Sequence, residues 1–276
     1  MKTYILIIFT VLFTVNSFAQ SETEWFPAQL NIQPFTANLI EPRAGTMVAL
    51  GENQLRLDIG TSRDILLLKD GKTNLSFGAD LFTYTRLRKE NNFKFPVETI
   101  DFMFGINAGY KKLINKNEFG FRFRFSHISA HLVDGRFDER TGLWKDGRKP
   151  FVFSKEFFEL FPYYKIAGFR VYIGLTYIIH IIPEEINKGV YQAGFDYYIL
   201  PLRTKTLTPF IAYDFKLNGI EGIYSGNNIF KAGIKFGNPF SRGFSLLFSY
   251  ISGKSIHGEL FDLNENYFNF GFNLDL

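Results

Sequence analysis

The 276-residue chain contains no cysteine. That removes disulfide frameworks, thiolate metal sites, cysteine nucleophiles and a lipidated N-terminal cysteine together. Beyond the first twenty residues it also lacks any apolar run near the roughly 20 residues that a membrane-crossing helix needs, so a helical membrane protein is excluded. An excess of one charge is missing too. The 31 Lys and Arg face 27 Asp and Glu, and a net charge of +4 is too mild for a nucleic-acid binder. The four histidines are dispersed and form no His-Glu-x-x-His, and neither a phosphate-cradling glycine loop nor a dinucleotide fingerprint occurs. No cofactor is expected on these grounds. Calcium stays open, because it needs only oxygen ligands and the loops are rich in carboxylates.

Aromatic residues are what the chain has in excess: 34 Phe and 14 Tyr bring the aromatic share to 18%. With 46% apolar residues, this composition is too hydrophobic for a disordered chain. Residues 1–19 have the order of a secretory signal peptide. Lys2 supplies a positive charge, Tyr4 to Val15 an apolar stretch, and Ser17-Phe18-Ala19 small residues at the −3 and −1 positions before Gln20. The mature chain is therefore expected to begin near Gln20 and to leave the cytoplasm.

From there on the hydrophobic period is two. Phe119, Phe121, Phe123 and Phe125 alternate with Gly120, Arg122, Arg124 and Ser126, and Phe268, Phe270, Phe272 and Leu274 alternate with Asn269, Gly271, Asn273 and Asp275. Successive side chains of a strand point to opposite faces, so each segment has one apolar-aromatic face and one polar face. No stretch follows a 3.6-residue period, and the chain is all-β. The segments run longer than the roughly 5–6 residues of soluble strands. Their spacing predicts twelve strands, at 44–50, 53–69, 73–87, 98–113, 116–129, 151–166, 169–182, 188–201, 207–217, 227–237, 243–252 and 264–276. Short connections alternate with longer polar ones, including a long charged loop from Ala130 to Pro150. Even strand number, alternating loop length and a terminal alternating strand predict a closed antiparallel transmembrane β-barrel over residues 44–276, in the bacterial outer membrane with both termini in the periplasm. Residues 20–43 precede it as a periplasmic lead-in or a lumen plug. Envelope lipids, lipopolysaccharide among them, and the machinery that inserts such barrels are the expected partners.

The inward faces collect Asp80, Asp101, Lys111, Arg122, Arg124, Arg170, Asp196, Asp214, Lys216, Lys231 and Lys235. A salt-bridged, filled interior and a narrow solute channel both accommodate them, and the modest strand number favours the filled one. One constellation has the elements of chemistry. His127 and Ser129 are two residues apart near the outer end of the fifth strand, so they share a face, and that face continues the lipid-side phenylalanines. An imidazole within reach of a serine hydroxyl can act as its general base, and a third polar group normally orients the imidazole. Glu156, near the outer end of the next strand, and Glu139 in the loop are candidates for that role. Backbone amides of the strand-to-loop transition, or Arg136 and Arg140, are candidates to stabilise an oxyanion. The bland alternative is a structural cap in which His127, Ser129 and His131 bond the base of the long loop.

His-x-Ser facing lipid at the outer end of a strand resembles the catalytic pair of outer-membrane phospholipases and lipid A deacylases, where the motif usually continues to Asn; here Ala130 follows. The resemblance implies Ser129 as nucleophile, His127 as general base and Glu156 as orienting acid. A wider resemblance rests on Glu41-Pro42-Arg43, His127-Ile-Ser-Ala-His131-Leu-Val-Asp134, Ser154-Lys-Glu156 and Arg170-Val-Tyr172-Ile-Gly174. It is similar to an uncharacterised bacterial barrel family, from whose pattern the chain departs at Ala130, Val133 and Gly135. That family implies the barrel and no established activity. The functions left open are a structural or lipid-interacting barrel, an outer-leaflet lipid hydrolase and a narrow channel.

Overall fold

The computed structural model describes residues 22–276, so the expected signal peptide lies outside the described residues. The period-two segments form twelve antiparallel strands: β1 (Ala44–Leu50), β2 (Gln54–Asp70), β3 (Thr73–Arg88), β4 (Val97–Ile114), β5 (Asn117–Leu132), β6 (Phe153–Ile166), β7 (Phe169–Ile182), β8 (Gly189–Tyr198), β9 (Leu207–Ile220), β10 (Ile223–Phe236), β11 (Gly243–Lys254) and β12 (Asn264–Asp275). Each pairs with its sequence neighbours, and β12 returns to β1 from Phe268 opposite Leu50 to Leu274 opposite Ala44. The sheet is thereby closed into the barrel that the alternation predicts. Closure matters because hydrocarbon offers an open strand edge no hydrogen-bond partners. The alternation sorts as expected: Phe119, Phe121, Phe123 and Phe125 are exposed on the outer wall, while Arg122 and Arg124 are buried inside.

The wall has one interruption. β1 pairs with β2 only from Val48 opposite Leu55 to Gly45 opposite Asp58. Farther along, toward its Asp70 end, β2 is paired instead by a short strand, Glu22–Trp25, opposite Leu66–Lys69. Between these two pieces the chain leaves the wall and runs through the barrel. Phe35, Ala37, Asn38 and Glu41 there are fully buried.

An irregular segment inside a barrel has backbone carbonyls with no ladder to join, and the basic side chains of the lumen supply the donors. Arg170 donates to Gln33 O (2.8 Å) and Pro34 O (2.6 Å), Lys231 to Thr36 O (3.0 Å), Arg56 to Leu39 O (2.8 Å) and Lys111 to Asn31 O (2.9 Å). Phe35 seats the segment among aromatic rings, with centroids 4.3 Å from Tyr172 and 5.1 Å from Phe161. Glu41 takes a two-pronged bond from Arg122, at 2.5 and 2.7 Å. Arg124, with no exposed surface, reaches Glu41, Asp80 (2.8 Å) and Glu159 (3.0 Å).

Three strands extend well past their expected bounds. The polar stretch 218–226 has the composition of a loop, yet β9 and β10 continue through it with Asn218 opposite Ser225, turning only at Glu221-Gly222. Both turn residues have positive φ, 49° and 80°, as the tightest hairpin turn requires. β5 likewise runs on to Leu132, so His131 stands on the wall instead of opening the loop. From the same rim the connection between β11 and β12 tucks inward. His257 bonds Asp101 (2.7 Å), and Glu259 accepts from the amides of Leu132 and Phe151, both at 3.1 Å.

Candidate active site

β5 alternates outward His127, Ser129 and His131 with inward Ile128 and Ala130, which are 0% and 1% exposed. The inward pair belongs to an apolar core with Phe82, Tyr84, Met103, Phe157 and Ile178. The strand carrying the candidate residues is therefore backed by packed side chains, and a site on such a wall is held more firmly than one on a loop.

Register brings partners to the outward residues. Glu156 of β6 lies directly opposite His127, and Ser154 opposite Ser129. On the far side of β6, the pairing with β7 is regular to Ile178 opposite Phe157 and then shifts, so that His180 faces Glu156. One extra residue, Ile179, is accommodated there as a bulge, and bulges re-aim side chains in this way. Without it His180 would meet Lys155 and point into the lumen, the face on which simple parity puts it. With it, three strands present one hydrogen-bonded unit on the outer wall. His127 Nδ1 is 2.5 Å from Glu156 Oε1, and His180 Nδ1 is 2.7 Å from Glu156 Oε2.

A carboxylate only accepts, so this pattern assigns the proton of each imidazole to Nδ1 and leaves both Nε2 atoms free as bases. The unit is graded in exposure: the side chains of His127 and Glu156 are 26% and 29% exposed, that of His180 57%. Phe104 of β4 lies against the His127 ring at 4.9 Å. The Ser129 hydroxyl, two residues along the same face, makes no hydrogen bond among the described residues.

The other candidates are placed elsewhere. Glu139 is exposed in the loop, away from the pairing that positions Glu156. Arg136 is buried and engaged by Asp146 (2.7 Å) and Glu98 (3.7 Å), and Arg140 stands on the loop with 89% of its side chain exposed. Neither is free at the wall as an oxyanion donor. His180 was not legible as a site residue, because the bulge that turns it outward leaves no mark on the alternation. Among the described residues no group of three or more His, Asp or Glu is arranged to hold a metal ion. Inside the barrel, the voids beside the luminal segment are small, of about 30, 20 and 10 Å³.

Fold and site together define a transmembrane-type β-barrel with a filled lumen and a polar unit on its outer wall. The family model described as protein of unknown function DUF1207 matches residues 77–275, and the chain belongs to that family. A search of curated proteins finds no match. Among solved structures, outer membrane phospholipase A from Escherichia coli is similar over 88% of this chain and 93% of its own, at 12% identity and a TM-score of 0.52. OprB of Pseudomonas putida matches over 83% and 91%, at 9% identity and a TM-score of 0.38. OmpT, an outer membrane protein of Vibrio cholerae, matches over 92% and 97%, at 8% identity and a TM-score of 0.37. At such identities the likeness is one of fold.

Proposed function

We propose that the chain is a bacterial outer-membrane barrel that hydrolyses acyl esters of membrane lipids at its outer wall, with Ser129 as nucleophile, His127 as general base and Glu156 as orienting acid. The observation that carries this is the 2.5 Å bond from His127 Nδ1 to Glu156, made on the lipid face two residues from a serine with a free hydroxyl. Polar groups on a wall bathed in hydrocarbon are costly. Here they sit at the rim farthest from the C-terminal Leu276, where β5 meets its long loop. With the termini periplasmic, that height is the outer leaflet, where acyl esters lie. The exposed rings of Phe104, Phe125, Phe158 and Tyr177 on the same wall offer acyl chains an apolar surface. The phospholipase named among the similar structures acts from a barrel of this fold, which agrees with the reading without establishing it.

In the reaction, Ser129 Oγ attacks the ester carbonyl while its proton passes to His127 Nε2. The tetrahedral adduct collapses, the C–O bond to the lipid alcohol breaks, and the imidazolium returns the proton to that alcohol. Water then repeats the sequence on the acyl-serine and releases a fatty acid. Glu156 holds the tautomer that makes Nε2 the base and stabilises the imidazolium while it exists. The luminal filling gives a solute channel less support than this surface chemistry.

The test is fatty-acid release from phospholipid and from lipid A by the refolded protein, with and without calcium. Ser129→Ala and His127→Ala should each abolish release while the barrel keeps its heat-dependent gel shift. A wild type that releases nothing, or variants that match it, would leave a structural cap at the loop base.

A further inference from the structure

Glu156 bonds two imidazoles, and the mechanism above uses only one. We infer that His180 is a positioning residue, which fixes the Glu156 carboxylate and through it the Nδ1–H tautomer of His127. A glutamate side chain on an outer wall has several rotamers open to it and two oxygens to offer. Left to His127 alone, it can rotate about its terminal bond or turn toward water at the headgroup level. The second bond, 2.7 Å from His180 Nδ1 to Oε2, arrives from the opposite neighbouring strand. The carboxylate is thus tied between β5 and β7, with Oε1 committed to His127.

The backbone is built to deliver this bond. The β6–β7 register runs without a break from Leu175 opposite Leu160 to Ile178 opposite Phe157, and the single shift falls immediately before His180. Inward-facing Ile178 and Ile181 flank the bulge and are 2% and 6% exposed, so the lumen core anchors it from behind. A bulge costs ladder hydrogen bonds in a wall where hydrogen bonds are hard to replace. What it gains here is one outward imidazole at the height of Glu156. His180 Nε2 does not face Glu156, so nothing in this role requires it to touch the ester.

The catalytic consequence of this role rests on the hydrolase reading, but the geometry itself can be read without turnover. Protein carrying ¹⁵N-labelled histidine would be refolded in detergent and its imidazole nitrogens observed by NMR at a pH where the rings are neutral. In the wild type, His127 and His180 should both appear as Nδ1–H tautomers. In His180→Ala, His127 should become a mixture of the two tautomers. In His180→Asn, whose amide N–H can replace the imidazole Nδ1 donor, the single His127 tautomer should return. Turnover should follow the same order: kcat falls about 10-fold or more in His180→Ala, KM stays near its wild-type value, and His180→Asn recovers most of the loss. If His127 keeps one tautomer in His180→Ala, or if His180→Asn behaves like His180→Ala, the positioning role is refuted. A wild type that releases no fatty acid would end the hydrolase reading alone, and the tautomer spectra would still decide the role of His180.

Discussion

The lumen and the outer wall of this barrel use the same kinds of residue to opposite ends. Inside, Arg124 meets three carboxylates, Arg122 clasps Glu41 with two bonds, and Arg and Lys side chains cover the carbonyls of the segment around Phe35. Outside, Glu156 holds two imidazoles, and among the described residues their outer nitrogens and the neighbouring Ser129 hydroxyl have no partner. A charge-paired network resists change, because each charge lost strands its partner in low dielectric. An unsaturated unit at the surface has hydrogen-bonding capacity left for something else. Buried charge in the lumen is therefore read as architecture, and the much smaller polar unit on the wall as chemistry.

The sharpest way to break that comparison is a pair of variants with opposite expected effects. For the proposed hydrolase, Ser129→Ala should remove turnover by several orders of magnitude, as loss of a nucleophile does, while the urea midpoint of the refolded barrel stays unchanged. Arg124→Met should do the reverse. It leaves Asp80 and Glu159 without their shared cation, and breaking a buried pair in this way costs about 3–5 kcal/mol. The urea midpoint should fall accordingly, with kcat of the molecules that fold close to wild type. If Ser129→Ala destabilises the barrel, or Arg124→Met leaves its midpoint in place, the division between architecture and chemistry fails.

A smaller effect is expected where the wall turns. Glu221 and Gly222 both occupy the left-handed region, and Gly222 at φ 80° has no Cβ to strain it. Gly222→Val should cost about 1 kcal/mol or somewhat more in the same urea titration, from backbone strain of this size. Turnover should stay close to wild type, since β9 and β10 lie four and five strands along the wall from β5, although the Gly222 amide bonds Asn187 in the connection after β7. A change in turnover would mean that the wall transmits distortion farther than packed strands should.

How much of this could be read from sequence follows from what a period of two can carry. It carries face, and so it placed Arg122 and Arg124 inside and His127 and Ser129 outside. It carries strand direction and approximate height, and so it brought Glu156 within range of His127. It cannot carry a bulge, which adds one residue without disturbing the composition, so parity alone puts His180 on the wrong face. Polar residues near a rim are equally ambiguous, because a luminal face and a loop are both wet. That is why 218–226 read as a loop, although Asn218 and Ser225 are paired in the wall. The route of the chain around Phe35 depends on contacts from β4, β5, β7 and β10, which no local pattern contains.

The least effect, and the finest test of the comparison, belongs to Glu259. It is an interior carboxylate like Glu41, at 1% exposure, but it sits in the connection from β11 to β12 and, among the described residues, forms no salt bridge. Its partners are the amides of Leu132, at the end of the site strand, and of Phe151. Burial raises its pKa above the ordinary glutamate value, and the two amides offset this only in part. An acid whose pKa is raised by folding holds its proton in the native state when the unfolded chain has already released it. Its contribution to stability is therefore fully present below the unfolded pKa and declines as pH rises through the folded one. Glu259→Gln removes that dependence and replaces one acceptor with an amide group that repels an N–H, a loss of about 1 kcal/mol. The difference in urea midpoint between wild type and Glu259→Gln should thus be widest below the ordinary glutamate pKa and narrow as pH rises above it. A difference that widens with pH would mean that the ionised form is the one the loop was built to hold. Glu259 would then belong with the charge-paired network around Glu41.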